Sequence, residues 1–251
     1  MLQQNKMEGN NRKISIIIVT YNAAKTLQKC LDSIYNQRYP NLEIIIIDGA
    51  STDGTVNILE ENSSKIYFWL SEKDAGIYDA MNKALDYFTG SWVYFLGADD
   101  ELLDDFSNLA FELEDTSSIY YGSVFCRGKK CSGYISRYYQ AKVGMYHQSM
   151  IYPARVFQNH KYNLRYPISA DYVLNMELAG DPDFKFVFKD YLVANFNHTG
   201  VSGQNGDEFL ANDKSQLIRK NFGLILWARY RFRELKGDLK SKLGLTKDYK
   251  R

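Results

Sequence analysis

Trp92-Val-Tyr-Phe-Leu-Gly-Ala-Asp99-Asp100 is a continuous apolar run that ends in two adjacent carboxylates. Apolar and aromatic residues in an unbroken row suit a strand covered on both faces, the usual setting of a parallel strand. In an open α/β sheet, ligands sit just beyond the carboxyl ends of such strands. Two hard oxygen ligands there suit Mg²⁺ or Mn²⁺, which binds through one or two carboxylates plus substrate phosphates. Read alone, Asp99 or Asp100 serves equally well as the cap of a helix beginning near Glu101.

The preceding residues repeat the pattern. Ile14-Ser-Ile-Ile-Ile-Val19 stops at Thr20-Tyr21-Asn22, Leu42-Glu-Ile-Ile-Ile-Ile47 stops at Asp48-Gly49, and Ile66-Tyr-Phe-Trp-Leu70 leads to Asp74. Helical spacing separates them: Leu27, Leu31, Ile34 and Tyr35 first, then Val56, Ile58 and Leu59, then about Ile77 to Phe88. Short connections and apolar strands predict a doubly wound, mostly parallel central sheet flanked by helices. In such a sheet Thr20, Asn22, Asp48, Asp74 and Asp99 share one edge. Unrelated helix caps have no reason to be so rich in carboxylates.

Past residue 105 the pattern loosens. Ser118–Phe125 and Tyr134–Arg137 read as strands of mixed direction, and Phe184–Phe188 as a late strand. Ser169-Ala-Asp171-Tyr172 opens a helix that ends at Gly180. From Arg219 onward Lys and Arg outnumber Asp and Glu 11 to 3, interleaved with apolar residues. Those residues form amphipathic helices that pack on the body or lie on an anionic membrane surface.

Composition narrows the function classes. A net charge of +1 over 251 residues gives no global field for nucleic acid. Aromatics reach 15%, with 20 Tyr, and amphipathic rings suit a wet cleft that handles sugars or bases. Cys30, Cys126 and Cys131 have no metal-ligand spacing and read as free thiols in a reducing compartment. Met1–Lys13 is polar, without an apolar leader segment, and no run of ~18 apolar residues exists. The expectation is a soluble, cytoplasmic protein.

Val19-Thr-Tyr-Asn22, Asp48-Gly-Ala-Ser-Thr-Asp-Gly-Thr55, Asp74-Ala-Gly-Ile-Tyr-Asp-Ala-Met-Asn-Lys83, Phe95-Leu-Gly-Ala-Asp-Asp100, His147-Gln-Ser149 and Gly200-Val-Ser202 together resemble the family-two glycosyltransferases. The resemblance runs from about Ile14 to Ser202. It implies a GT-A fold of α/β class and an inverting enzyme that moves a sugar from a nucleotide-diphosphate donor to a hydroxyl. Residues 13–105 become the nucleotide-sugar-binding half, 106–215 the acceptor-binding half, 216–251 the basic C-terminal helices, and 1–12 a flexible tail. The acceptor class is a saccharide or a lipid-linked sugar, in surface polysaccharide or glycan assembly.

Roles follow from the same resemblance. Thr20, Tyr21 and Asn22 hold the nucleoside, and Asp48 accepts from base or ribose. Asp74, Asp79, Asn82, Lys83 and Ala98 line the donor pocket, with His147 near donor or acceptor. Asp99, with Asp100, holds Mn²⁺ or Mg²⁺, and Asp171 is the catalytic base. Two positions depart from the family pattern: Gly97 stands where many members carry an Asp, and Met81 where many carry an Arg.

The chemistry is self-consistent. Cleaving an anomeric bond to a diphosphate leaves negative charge that a divalent ion stabilises. The attacking hydroxyl must be placed and must lose a proton to a carboxylate. An Asp in a first helical turn is also favoured by the macrodipole alone. Two rival readings remain. A sugar-1-phosphate nucleotidyltransferase would want a Gly-rich loop after the first strand, which Thr20-Tyr-Asn-Ala-Ala-Lys25 lacks. A non-catalytic nucleotide-sugar-binding module would tolerate the missing Asp at Gly97.

Overall fold

The computed structural model describes residues 12–197 and 207–242. The tail through residue 11, His198 and the Gly200–Ser202 motif lie outside the described residues. The first strand, β1 (Ile14–Thr20), is flanked by β2 (Leu42–Asp48) and β4 (Trp92–Gly97), and β3 (Phe68–Ser71) pairs with β2. All three pairings are parallel, so the four carboxyl ends share one edge.

These strands are apolar on both sides because both sides are covered. Ile16, Ile18, Ile44, Ile46, Tyr94 and Leu96 pack into one core. Ile17, Ile45, Ile47, Val93 and Phe95 pack into the opposite one. Each fully buried side chain of this size contributes about 1.5–3 kcal/mol. The helices α1 (Leu27–Tyr35), α2 (Thr55–Asn62) and α3 (Ile77–Ala84) alternate with the strands as expected.

Beyond β4 the sheet becomes mixed. A two-residue β5 (Glu101–Leu102) follows the acidic pair, and the next helix, α4, spans Asp105–Phe111. Neither Asp99 nor Asp100 is therefore a helix cap. β6 (Ser118–Cys126) forms a hairpin with β7 (Lys129–Ser132), and β8 (Met150–Pro153) joins β4 to β6 by antiparallel pairing. β9 (Lys185–Asn195) runs parallel to β6 and extends well past the expected Phe188.

Two expectations are corrected here. Tyr134–Arg137 is not a strand: the Ser136 hydroxyl accepts from the Tyr139 amide and caps α5 (Arg137–Val143). Cys126 and Cys131 are not free thiols but a disulfide that closes the β6–β7 hairpin. Their register, with Val124 opposite Cys131 and Cys126 opposite Lys129, brings two residues five apart onto one face. Cys30 alone is free, and buried.

A short α6 (Val156–Asn159) precedes α7 (Ala170–Gly180), and α8 (Glu208–Lys242) bends at Gly223, where φ is 82°. The crossing of α8 over α7 depends on Gly180, because a Cβ there would stand 2.9 Å from the Asn221 Cα. No described helix is long and apolar enough to cross a membrane.

Candidate functional site

At the carboxyl edge, Asp48 ends β2 with no exposed surface. It accepts from the Thr20 hydroxyl at 2.8 Å, the Ser71 hydroxyl at 2.6 Å, and both the amide and hydroxyl of Ser51. Burial alone would raise its pKa, but these donors outweigh it and hold the carboxyl below its ordinary value. Asp48, the expected acceptor for base or ribose, ties three strand ends together.

The loop beyond continues that framework. Asn22, at φ 52°, accepts from the Thr52 amide, and its own amide donates to the Ser51 hydroxyl. Tyr21 is 69% exposed and its ring lies along Gly49. Asp74 reaches the same point: a Cβ on Gly49 would stand 2.7 Å from Asp74 Oδ2. Gly49 is thus small because Asp74 approaches it.

The helix behind Asp74 is largely self-occupied. Asp79 accepts from the Ala75 amide, and Lys83 binds Glu72 at 2.7 Å with Asp79 at 3.6 Å. Asn82 clamps Tyr162 in both directions, donating to its carbonyl and accepting from its amide. Asn82 and Lys83 thus already have protein partners at the expected donor pocket. Met81 is buried in the core, so the missing Arg does not leave a gap in the cleft.

Asp99 and Asp100 have unlike settings. Asp99 is half-buried at the strand end, behind the buried Ala98, and burial raises its pKa. Asp100 is 1% exposed, and its Oδ2 accepts from Gln148 Nε2 at 2.9 Å while Oδ1 accepts from the Asn197 amide at 2.7 Å. Burial, with the Asp99 charge adding to it, pushes the Asp100 pKa to about 6. Each Asp100 oxygen thus accepts one bond inside the protein, while Asp99 is the more exposed of the two carboxylates.

Asp171 lies in the first turn of α7, across the cleft. Its Oδ1 is 2.7 Å from the Tyr78 hydroxyl, and its Oδ2 is 3.4 Å from His147 Nδ1. Burial pushes its pKa up, but the His147 and Tyr78 contacts outweigh it and hold the carboxyl below its ordinary value. The start of α7 is fixed by Asp207, which accepts from the amides of Ile168 and Ser169. His147 and Gln148, adjacent in a 3₁₀ turn, thus reach opposite ways: one to Asp171, the other to Asp100. Beside them opens a cavity of about 650 Å³.

A family model described as Glycosyl transferase family 2 matches residues 15–178, which include both acidic corners of this cleft. The chain belongs to that family. This glycosyltransferase is 34% identical over 197 residues to the PGL/p-HBAD biosynthesis glycosyltransferase of Mycobacterium tuberculosis, covering 74% of this chain and 77% of the relative. A putative teichuronic acid biosynthesis glycosyltransferase of Bacillus subtilis is 37% identical over 37% of this chain and 38% of its own.

Solved structures share the fold. S. aureus TarS 1-349 in complex with UDP-GlcNAc superposes with a TM-score of 0.62 at 18% identity, over 82% of this glycosyltransferase and 64% of that chain. The mannosyltransferase PcManGT from Pyrobaculum calidifontis, in complex with GDP-Man and Mn²⁺, gives 0.57 at 21% identity, over 84% and 63%. The mixed α/β architecture is that of the GT-A transferases.

Sequence reasoning missed two residues that complete this glycosyltransferase's cleft. Tyr78 sat unremarked inside the Asp74–Lys83 motif, although only its hydroxyl reaches across to Asp171. Gln148 was noticed as part of a motif, but nothing in its neighbours foretold a bond to Asp100.

Proposed function

We propose that this glycosyltransferase transfers a sugar, with inversion, from a nucleotide-diphosphate donor to a hydroxyl of a saccharide or lipid-linked acceptor. The observation that carries the reading is the Asp171 carboxylate, held ionised between Tyr78 and His147 in the wall of a cavity. Donors of this kind, UDP-GlcNAc and GDP-Man, occupy the TarS and PcManGT structures. The B. subtilis relative is named as a putative teichuronic acid biosynthesis glycosyltransferase, which supports a role in surface polysaccharide or glycan assembly.

In this reading Asp171 accepts the proton of the attacking hydroxyl, a step typically contributing ~10²–10⁴-fold. A carboxylate that stays ionised at neutral pH is ready for that role, and Tyr78 and His147 fix its direction. Thr20, Asp48 and Ser71 keep the strand ends rigid beneath the nucleoside, with exposed Tyr21 free to meet the base.

The residues also fit a divalent cation. Among the described residues no group of three or more His, Cys, Asp or Glu is disposed to hold an ion unaided. Mg²⁺ and Mn²⁺ do not need one: they bind through one or two carboxylates plus phosphate oxygens. Asp99 supplies the carboxylate and the donor the phosphates. Such an ion, when bound, neutralises charge on the departing diphosphate.

Peripheral membrane contact belongs to the same proposal. Ile225, Phe232, Leu235 and Leu239 of α8 are exposed at 87%, 69%, 59% and 59%. Offsets of 7, 10 and 14 residues put them on one helical face, with Arg229, Arg233 and Lys236 along its side.

Thermal shift with a panel of UDP-, GDP- and dTDP-sugars, with and without Mn²⁺, tests the donor assignment. A bound donor raises stability by RT ln(1 + [L]/Kd). A sugar nucleotide that stabilises only with Mn²⁺ supports the reading. Indifference to every member overturns it.

A further inference from the structure

We infer that the cavity beside Asp171 takes an acceptor that carries negative charge, its anionic group held by Arg127 and Lys129 at the tip of the β6–β7 hairpin. The inference rests on the glycosyltransferase reading above and names the substrate class of its acceptor side.

The cavity wall carries both charges. Asp171, His147 and Gln148 line it, and so do Arg127, Lys129 and Lys130 of the β6–β7 hairpin. Tyr139, Tyr146 and Phe196 also contribute to its wall, and the last two rings pack at 5.4 Å. Aromatic faces suit sugar rings, and cations in the same wall favour a sugar that carries negative charge.

The cations differ in their commitments. Lys130 pairs with Asp190. Among the described residues no carboxylate pairs with Arg127 or Lys129, and both are exposed. An unpaired guanidinium is well suited to phosphate or carboxylate, which it binds in fork geometry.

The hairpin is built to hold them there. Arg127 and Gly128 have φ of 51° and 75°, as a two-residue turn of the I′ kind requires. The Cys126–Cys131 disulfide closes the ladder directly behind the turn. A non-glycine residue such as Arg127 in the left-handed region is uncommon, and here it lines the cavity.

Thr20, Asn22, Asp48 and Asp74 do not line this cavity, whereas Asp171 does. An acceptor lying in it would present a hydroxyl to Asp171 and its charged group to the hairpin. Phosphate and uronate share that chemistry.

The test titrates the full chain, without nucleotide, with neutral galactotriose, trigalacturonate and a galactotriose phosphate monoester, by calorimetry at low and high salt. At low salt at least one anionic probe binds ~10-fold or more tightly than the neutral one, the scale of one charge-assisted hydrogen bond. High salt shrinks the gap. Arg127→Gln/Lys129→Gln abolishes the preference while melting temperature and nucleotide-sugar affinity stay as in wild type. Preference for the phosphate probe alone, the uronate alone, or both supports the proposal and names the source. Equal affinity for all three probes, including none, overturns it. So does loss of nucleotide-sugar affinity in the double variant, since the cations would then serve the donor diphosphate. Because the titration needs no donor, failure of the donor panel leaves this result separately readable.

Discussion

A Cβ on Gly97 would stand 2.5 Å from Oδ2 of Asp100 and 3.1 Å from Asp99 Oδ1. Any side chain at position 97 must therefore shift Asp100. Asp100 occupies that space, held by Gln148 and the Asn197 amide. The acidic pair has divided its work: Asp99 stays at the cleft, and Asp100 braces the turn that carries His147.

Gly97→Asp should therefore damage the site instead of completing it. The new side chain must displace Asp100 from Gln148, leaving buried polar groups unpaired at about 1–3 kcal/mol. We expect a melting temperature lower by several degrees and weaker Mn²⁺-dependent donor binding. Tighter Mn²⁺ binding at unchanged stability would mean that the position is open and that Asp100 is not committed as described.

Asp99→Asn separates metal from fold. Asp99 is half-buried at a strand end and burial disfavours its charge, so a neutral isostere should fold with undiminished stability. Stabilisation by a nucleotide sugar in Mn²⁺ should vanish in thermal shift. Retention of the same Mn²⁺ requirement would assign the ion elsewhere.

Glu43 gives a pH signature away from the cleft. It is 5% exposed and accepts from Ser15, from the amide and hydroxyl of Thr89 and from Gly90, with Lys13 at 3.2 Å. Burial raises its pKa, but these donors outweigh it and bring the carboxyl below its ordinary 4.5. Its stabilisation is therefore full above 4.5 and is lost as pH falls through the lowered folded value. In Glu43→Gln an amide faces several donors. Urea unfolding should show a wild-type advantage on the order of 1–3 kcal/mol at pH 7 that narrows below pH ~4.5. A constant gap across that window would exclude titration of Glu43 as its source.

The parallel strands through β4 were legible because β-branched runs alternating with helices across short connections leave few topologies. The helix at Arg137–Val143 was not, because Tyr134-Ile135 looks strand-like and the deciding contact is a cap by Ser136. The roles of Asp48 and Asp100 were hidden for a different reason. A carboxylate at a strand end is the same letter whether its oxygens face a ligand or are filled by Ser51, Ser71 or Gln148. The disulfide was overlooked because cysteines five apart match no metal pattern, and only the left-handed turn at Arg127-Gly128 brings them together.

The α8 stripe predicts lipid binding. Anionic liposomes at low salt should capture the protein, and high salt should release it. Phe232→Ser/Leu235→Ser should abolish capture without lowering the melting temperature, since both side chains are mostly exposed. Indifference of the wild type to anionic lipid would leave α8 as a packing helix alone.

Asp171→Asn tests the chemistry itself. Asparagine keeps the size and can still accept from Tyr78, but it cannot take a proton from the acceptor. A base acts in the transition state, so turnover should fall by ~10²-fold or more while nucleotide-sugar affinity hardly moves. Because the Asp171 pKa lies below the ordinary 3.8, its protonation should not limit the rate anywhere near neutrality. The rival base is His147, whose Nε2 is buried with no hydrogen-bond partner among the described residues. His147→Gln decides between them. With Asp171 as base it should lower the rate modestly by loosening the carboxylate; with His147 as base it should match the loss in Asp171→Asn.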